Sequence, residues 1–111
     1  MGEGLEVVDA VPGWPGRPSD GHKGTFGTLV VVGGCEGMIG APALSMRAAL
    51  RVGVGLVKVV TEAGVLGQVL TVEPSGTGVG VEAWSGEGMG EVGVAAALRV
   101  IRENAHRPVN V

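Results

Sequence analysis

The sequence predicts an α/β fold with a mainly parallel sheet flanked by helices, and three observations carry that expectation. Residues 28–32, Thr-Leu-Val-Val-Val, make a short, unbroken, β-branched run between glycines, the pattern of a strand buried on both faces. Residues 41–52 then space their apolar and charged positions as a helix does, and residues 56–61 return to a β-branched run. Strand, loop, helix and strand over residues 28–61 is the order of a crossover between parallel strands.

Each element has a local reason. Residues 1–24 hold Pro12, Pro15 and Pro18 among Gly13, Gly16, Gly21 and Gly24, which breaks helices and favours extended or turning backbone, so this stretch is expected to be a lead-in. In the helix, Pro42 suits the first turn and Gly53 the stop. Leu44, Ala48 and Val52 share one face and Arg47 and Arg51 another, an amphipathic pattern. Residues 66–72 fit a short helix or a strand, and residues 73–90 are too rich in glycine to assign. Residues 91–104 regain helical spacing, with Val94, Leu98 and Ile101 on one side and Arg99, Arg102 and Glu103 on the other. Residues 108–111 read as the start of a strand.

Composition narrows the class. With 111 residues, 45% hydrophobic and 17% charged, the chain can form one small core. That core must be aliphatic, since there is no Tyr, one Phe and two Trp. Glycine fills 22 positions, each adding chain entropy that folding must overcome, so marginal stability is expected. A formal charge of −3 with eight Lys plus Arg spread along the chain gives no footprint for nucleic acid. The single Cys35 excludes an internal disulfide framework and fits a reducing compartment, so the cytoplasm is expected. The acidic start is unlike a signal peptide, and no uncharged run reaches the roughly 18 residues of a membrane span.

One region carries candidate chemistry. The first N–H groups of a helix have no intrahelical acceptor, so the amides of Gly40, Ala41 and Ala43 could receive an amide oxygen or a phosphate, Pro42 having none to offer. Small residues at 40 and 41 would let a flat ring approach the backbone, and the loop follows the carboxyl end of a strand, where open α/β sheets bind ligands. The competing reading is tight packing of helix on sheet. Residues 88–93, Gly-Met-Gly-Glu-Val-Gly, match the spacing of a dinucleotide fingerprint, but no convincing strand precedes them and no acidic residue follows about 20 positions on. Residues 33–37 lack the Gly-Lys-Ser/Thr ending of a phosphate loop. His22, Lys23 and His106 read as ordinary loop or surface residues, Cys35 as a small buried filler, and Glu87 and Glu91 as solvated carboxylates. No spacing of metal ligands occurs.

Four pieces in fixed order carry a resemblance. They are His22-Lys23-Gly24-Thr25-Phe26-Gly27, Leu29-Val30-Val31-Val32-Gly33-Gly34, Gly37-Met38-Ile39-Gly40-Ala41-Pro42, and Ala48-Ala49-Leu50-Arg51-Val52-Gly53-Val54-Gly55-Leu56-Val57. Together they resemble the ADP- or ATP-dependent NAD(P)H-hydrate dehydratases. Glu73-Pro74-Ser75 is similar to a loop of that family, and Gly86-Glu87-Gly88-Met89-Gly90 to its Gly-Pro-Gly-Leu-Gly turn, with Glu87 in place of proline. Residues 107–111 resemble the strand that leads into a family Asp-Ala-Asp-Ala-Leu segment, which this sequence does not contain.

The resemblance implies a partial ribokinase-like fold over residues 25–111, corresponding to the N-terminal portion of the dehydratase domain. It implies elimination of water from hydrated NADH or NADPH, driven by ADP or ATP with Mg2+, with Ala41 and Gly90 touching the hydrated dinucleotide beside Gly40. The family's catalytic aspartate stands in a Gly-Thr-Gly-Asp segment; the nearest string here, Gly76-Thr77-Gly78-Val79, has valine at that place. No catalytic residue is therefore assigned, and a truncated family member is expected. The alternatives are a non-catalytic dinucleotide-binding or assembly module, paired with itself as a homo-oligomer or with a separate C-terminal half, and a fragment without function.

Overall fold

The computed structural model describes residues 4–14, 16–22, 26–82, 88–104 and the backbone of 109–110. Lys23, Glu87, His106 and Pro108 lie outside the described residues. In chain order come β1 (Thr28–Val32), α1 (Gly40–Arg51), β2 (Leu56–Glu62), a 3-10 turn (Ala63–Val65), α2 (Leu66–Val72), β3 (Thr77–Val81), α3 (Gly90–Glu103) and β4 (Val109–Asn110). The four strands form one sheet in the order β3-β2-β1-β4, every neighbouring pair parallel. The expected parallel α/β architecture is present, with helices on both faces.

The alternation of strand side chains divides the core in two. Leu29, Val31, Val57 and Val59 point to the face covered by α1 and α2, where they meet Ala43, Met46, Ala49 and Val69. Val30, Val32, Val60, Val79 and Val81 point to the other face and meet Ala97 and Val100 of α3. Fully burying one such valine contributes roughly 1.5–3 kcal/mol, so the sheet holds together by many small aliphatic contacts, and no aromatic ring is buried among the described residues. The chain winds outward from β1 through β2 to β3 with α1 and α2 on one face. It then returns along the other face through α3 to place β4 beside β1. Strand order thus reverses at β1, the switch point where ligands of open α/β sheets bind.

Two helix faces differ from the sequence expectation. On α1 the buried residues are Pro42, Ala43, Met46 and Ala49, whereas Leu44 and Val52 are 60% and 52% exposed and Ala48 is exposed too. On α3 the buried residues are Gly93, Ala97 and Val100, while Val94 and Leu98 stand out and Ile101 is half-buried. Each helix carries two apolar stripes, and the stripe with small side chains faces the sheet because it lets the helix axis approach closely. Arg47, expected on the solvent side, is half-buried against α2.

Local geometry explains the boundaries. Gly53 takes φ +102° and closes α1 by donating to the Leu50 carbonyl at 3.2 Å, while Val54 donates to Ala49 at 3.1 Å, the paired bonds of a Schellman stop. Residues 66–72, open between helix and strand in sequence, are helical. The glycine-rich stretch that resisted assignment contains β3, and its glycines have a packing reason. A Cβ on Gly80 would come 2.8 Å from Ala63 Cα, so the 3-10 turn lies directly on the strand. The described lead-in residues have no helix or strand and are almost all exposed. Arg17 ties them down, donating to the Gly53 carbonyl at 2.7 Å and lying 3.7 Å over the Phe26 ring.

Candidate functional site

The loop of residues 33–39 leaves the carboxyl end of β1 and enters α1 without a side-chain cap. Beside it lies a cleft of about 250 Å³ lined by Val31, Val32, Gly33, Gly34, Met38, Ala41, Pro42 and Ser45. Gly40 and Ala41, the first two helical residues, are exposed, and Ala41 lines the cleft. Ala43, expected to offer a third amide, does not: its N–H already donates to Ile39 at 3.3 Å. The helix start therefore presents two N–H groups, those of Gly40 and Ala41, toward the switch point.

The loop is held by β2. Gly33 donates to the Val60 carbonyl at 3.0 Å, and the Gly34 carbonyl accepts from Thr61 Oγ1 at 3.0 Å and from the Glu62 amide at 3.4 Å. Glu62 Oε2 accepts from the Glu36 amide at 3.2 Å. Gly34 sits at φ +95°, and a Cβ there would meet Thr61 Oγ1 at 2.7 Å and Pro42 Cγ at 2.9 Å, so only glycine fits. Thr61 and Glu62 escaped the sequence reading. Their signal was a polar pair ending a buried strand on the carboxyl side of a parallel sheet.

Gly90 opens α3 with φ +64° and is exposed. It lines a separate open concavity of about 620 Å³ with Met89, Glu91, Val94, Ala95 and Leu98. Ala41 and Gly90 thus begin helices on opposite faces of the sheet and do not share a cavity. Cys35 is half-buried, less enclosed than a core filler. Glu91 is exposed, as expected. His22 is exposed as well.

Glu73-Pro74-Ser75 lies elsewhere, between α2 and the amino end of β3. Glu73 is only 8% exposed, accepts from Arg47 Nε at 3.1 Å, and accepts from the Ser75 amide at 3.2 Å. The Arg47 hydrogen bond, with the Ser75 amide second, holds the Glu73 carboxyl below its ordinary pKa despite burial. This cluster braces helix against helix.

No protein-family model matches the chain. Curated proteins do match part of it. An ADP-dependent (S)-NAD(P)H-hydrate dehydratase of Neisseria meningitidis serogroup B is 61% identical over 41 residues, 37% of this chain and 14% of that protein. This chain is similar to the NAD(P)H-hydrate repair enzymes. A bifunctional NAD(P)H-hydrate repair enzyme Nnr of Coxiella burnetii is 47% identical over 57 residues, 51% of this chain and 12% of that enzyme. An ADP-dependent (S)-NAD(P)H-hydrate dehydratase of Bacillus subtilis is 35% identical over 63 residues, 57% of this chain and 23% of that protein. The chain spans less than a quarter of the repair enzymes it matches.

Among the described residues, no three His, Cys, Asp or Glu side chains group as metal ligands. Arg17 and Arg47 are committed to Gly53 with Phe26 and to Glu73 with Val72. Among the described residues, no helix is long and apolar enough to cross a membrane.

Proposed function

We propose that the start of α1, at Gly40 and Ala41, contributes to a surface that binds hydrated NAD(P)H, and that the chain carries part of an ADP- or ATP-dependent NAD(P)H-hydrate dehydratase. The observation that carries this reading is the 61% identity over 41 residues to a protein named for that reaction. The geometry supports it. No side chain caps the helix start, Ala41 lines the switch-point cleft, and neither Gly40 nor Ala41 carries a side chain beyond a methyl group. Gly90 would contact the dinucleotide from the other face of the sheet, as part of a wider surface. The cytoplasm is the compartment proposed, on the strength of a single cysteine.

Calorimetric titration of the 111-residue chain with NADH, NADH hydrate and AMP tests the reading. Heat with the hydrate in preference to AMP supports it, and no heat with any of the three overturns it. Catalysis by these 111 residues alone is not expected, because they contain no Gly-Thr-Gly-Asp segment. Turnover of NADH hydrate by the purified chain with ADP and Mg2+ would refute that part.

One observation favours a second reading, an assembly module. Val92, Val94 and Leu98 of α3 and, on the opposite face of the sheet, Leu44 and Val52 of α1 are 42–64% exposed, two separate apolar stripes, either of which another copy or a separate partner chain could cover. Sedimentation velocity over a concentration series would detect self-association.

A further inference from the structure

We infer that Thr61, assisted by Glu62, is a positioning residue for the dinucleotide surface at the start of α1; this rests on the function proposed above. The amides of Gly40 and Ala41 are aimed by the loop of residues 33–39, and that loop has few contacts of its own. Within it the Met38 amide donates to the Cys35 carbonyl at 2.8 Å. Its ties to the sheet come from three consecutive residues at the end of β2: Val60, Thr61 and Glu62.

Thr61 is the centre of that set. Its side chain is fully buried, on the strand face that also carries Val57 and Val59, beneath Gly34 and Pro42. A hydroxyl in such a place must find an acceptor, and the Gly34 carbonyl is the one it finds, at 3.0 Å. The other donor to that carbonyl, the Glu62 amide, is longer at 3.4 Å. Without the hydroxyl the Gly34 carbonyl would keep only the weaker of its two bonds. Thr61 Oγ1 and Pro42 Cγ both stand against Gly34, 2.7 and 2.9 Å from where a Cβ there would lie. The hydroxyl therefore holds the turn at Gly34, in the loop that leads into the first turn of α1. Glu62 completes the hold from the other side of the loop by accepting the Glu36 amide.

Two variants separate a hydroxyl effect from a packing effect. Thr61→Val keeps the shape and removes the donor, while Thr61→Ser keeps the donor and removes a methyl group. In the ligand-free chain, Thr61→Val should speed amide exchange at Glu36 and Met38 about fivefold, the weight of one ordinary hydrogen bond, with the centre of β2 unchanged. Affinity for NADH hydrate should fall by a similar factor, about fivefold. Thr61→Ser should restore both. Wild-type exchange and affinity in Thr61→Val, or failure of Thr61→Ser to restore them, would overturn the inference. Absence of any heat with NADH hydrate in the wild type would instead overturn the proposed function, and exchange in the free chain would still decide what Thr61 does.

Discussion

Arg47 of α1 and Glu73 at the end of α2 are joined by an ion pair, Nε to Oε1 at 3.1 Å, and the same guanidinium donates to the Val72 carbonyl. One arginine thus receives a carboxylate and a helix-terminal carbonyl together. Val72 closes α2 with carbonyls that lack intrahelical donors, so the arginine serves as a C-terminal cap from another helix. Arg47→Met keeps the aliphatic stem and loses both bonds. It should lower the thermal midpoint by a few degrees in a calorimetric scan, more than Arg51→Met, because Arg51 is exposed and has no such partner among the described residues.

The same pair makes stability depend on pH in a definite direction. Glu73 has a folded-state pKa lowered from the ordinary 4.5, chiefly by the Arg47 hydrogen bond. A lowered carboxyl favours the fold fully above the unfolded value and loses that contribution as pH falls through the folded one. Glu73→Gln should therefore be less stable than wild type at pH 7, and the gap should narrow below about pH 4.5 and close in stronger acid. Urea melts of both proteins at pH 7, 5 and 3 measure it, and a gap that widens on acidification would contradict the assignment.

Gly34 and Gly40 stand six positions apart and should respond oppositely to alanine. At Gly34 the φ of +95° costs about 1–3 kcal/mol for any other residue, and the crowding by Thr61 and Pro42 adds to it. At Gly40 nothing lies within 4 Å of the added carbon and the backbone is helical, so stability should change by less than about 1 kcal/mol. If the proposed surface is right, Gly40→Ala should nevertheless weaken binding of NADH hydrate, because the methyl stands where the ligand approaches. Denaturation curves and calorimetry on the two variants separate loss of fold from loss of site.

How much of this was legible follows from what kind of signal each feature leaves. β1 and β2 were readable because buried parallel strands are unbroken β-branched runs, and α1 because Pro42 and Gly53 mark its ends. β3 was not, because a strand of Thr-Gly-Val-Gly-Val is shaped by the close approach of Ala63 and Leu66, which only the tertiary structure supplies. The helix start at Gly40 and Ala41 was legible from its position after a strand. The residues that hold it, Thr61 and Glu62, were not, because their contacts bridge 26 or 27 positions of sequence.

The helix faces give the last prediction, since hydrophobicity alone chose the wrong stripe. Leu44 is larger and more apolar than Ala43, yet Leu44 is 60% exposed and Ala43 is fully buried beside Met46. The sheet beneath α1 is paved with valines, so a helix approaches closely only where its own side chains are short, and Met46 fills the remaining gap with a flexible chain. Met46→Ala should cost about 2–5 kcal/mol, as a large-to-small change in a sealed core does. Leu44→Gln should stay within about 0.5 kcal/mol, as surface changes do, and should improve solubility if the exposed stripe drives association. Chemical denaturation of the two variants side by side decides it: a Leu44 variant as unstable as the Met46 one would mean that α1 packs by the stripe of Leu44, Ala48 and Val52.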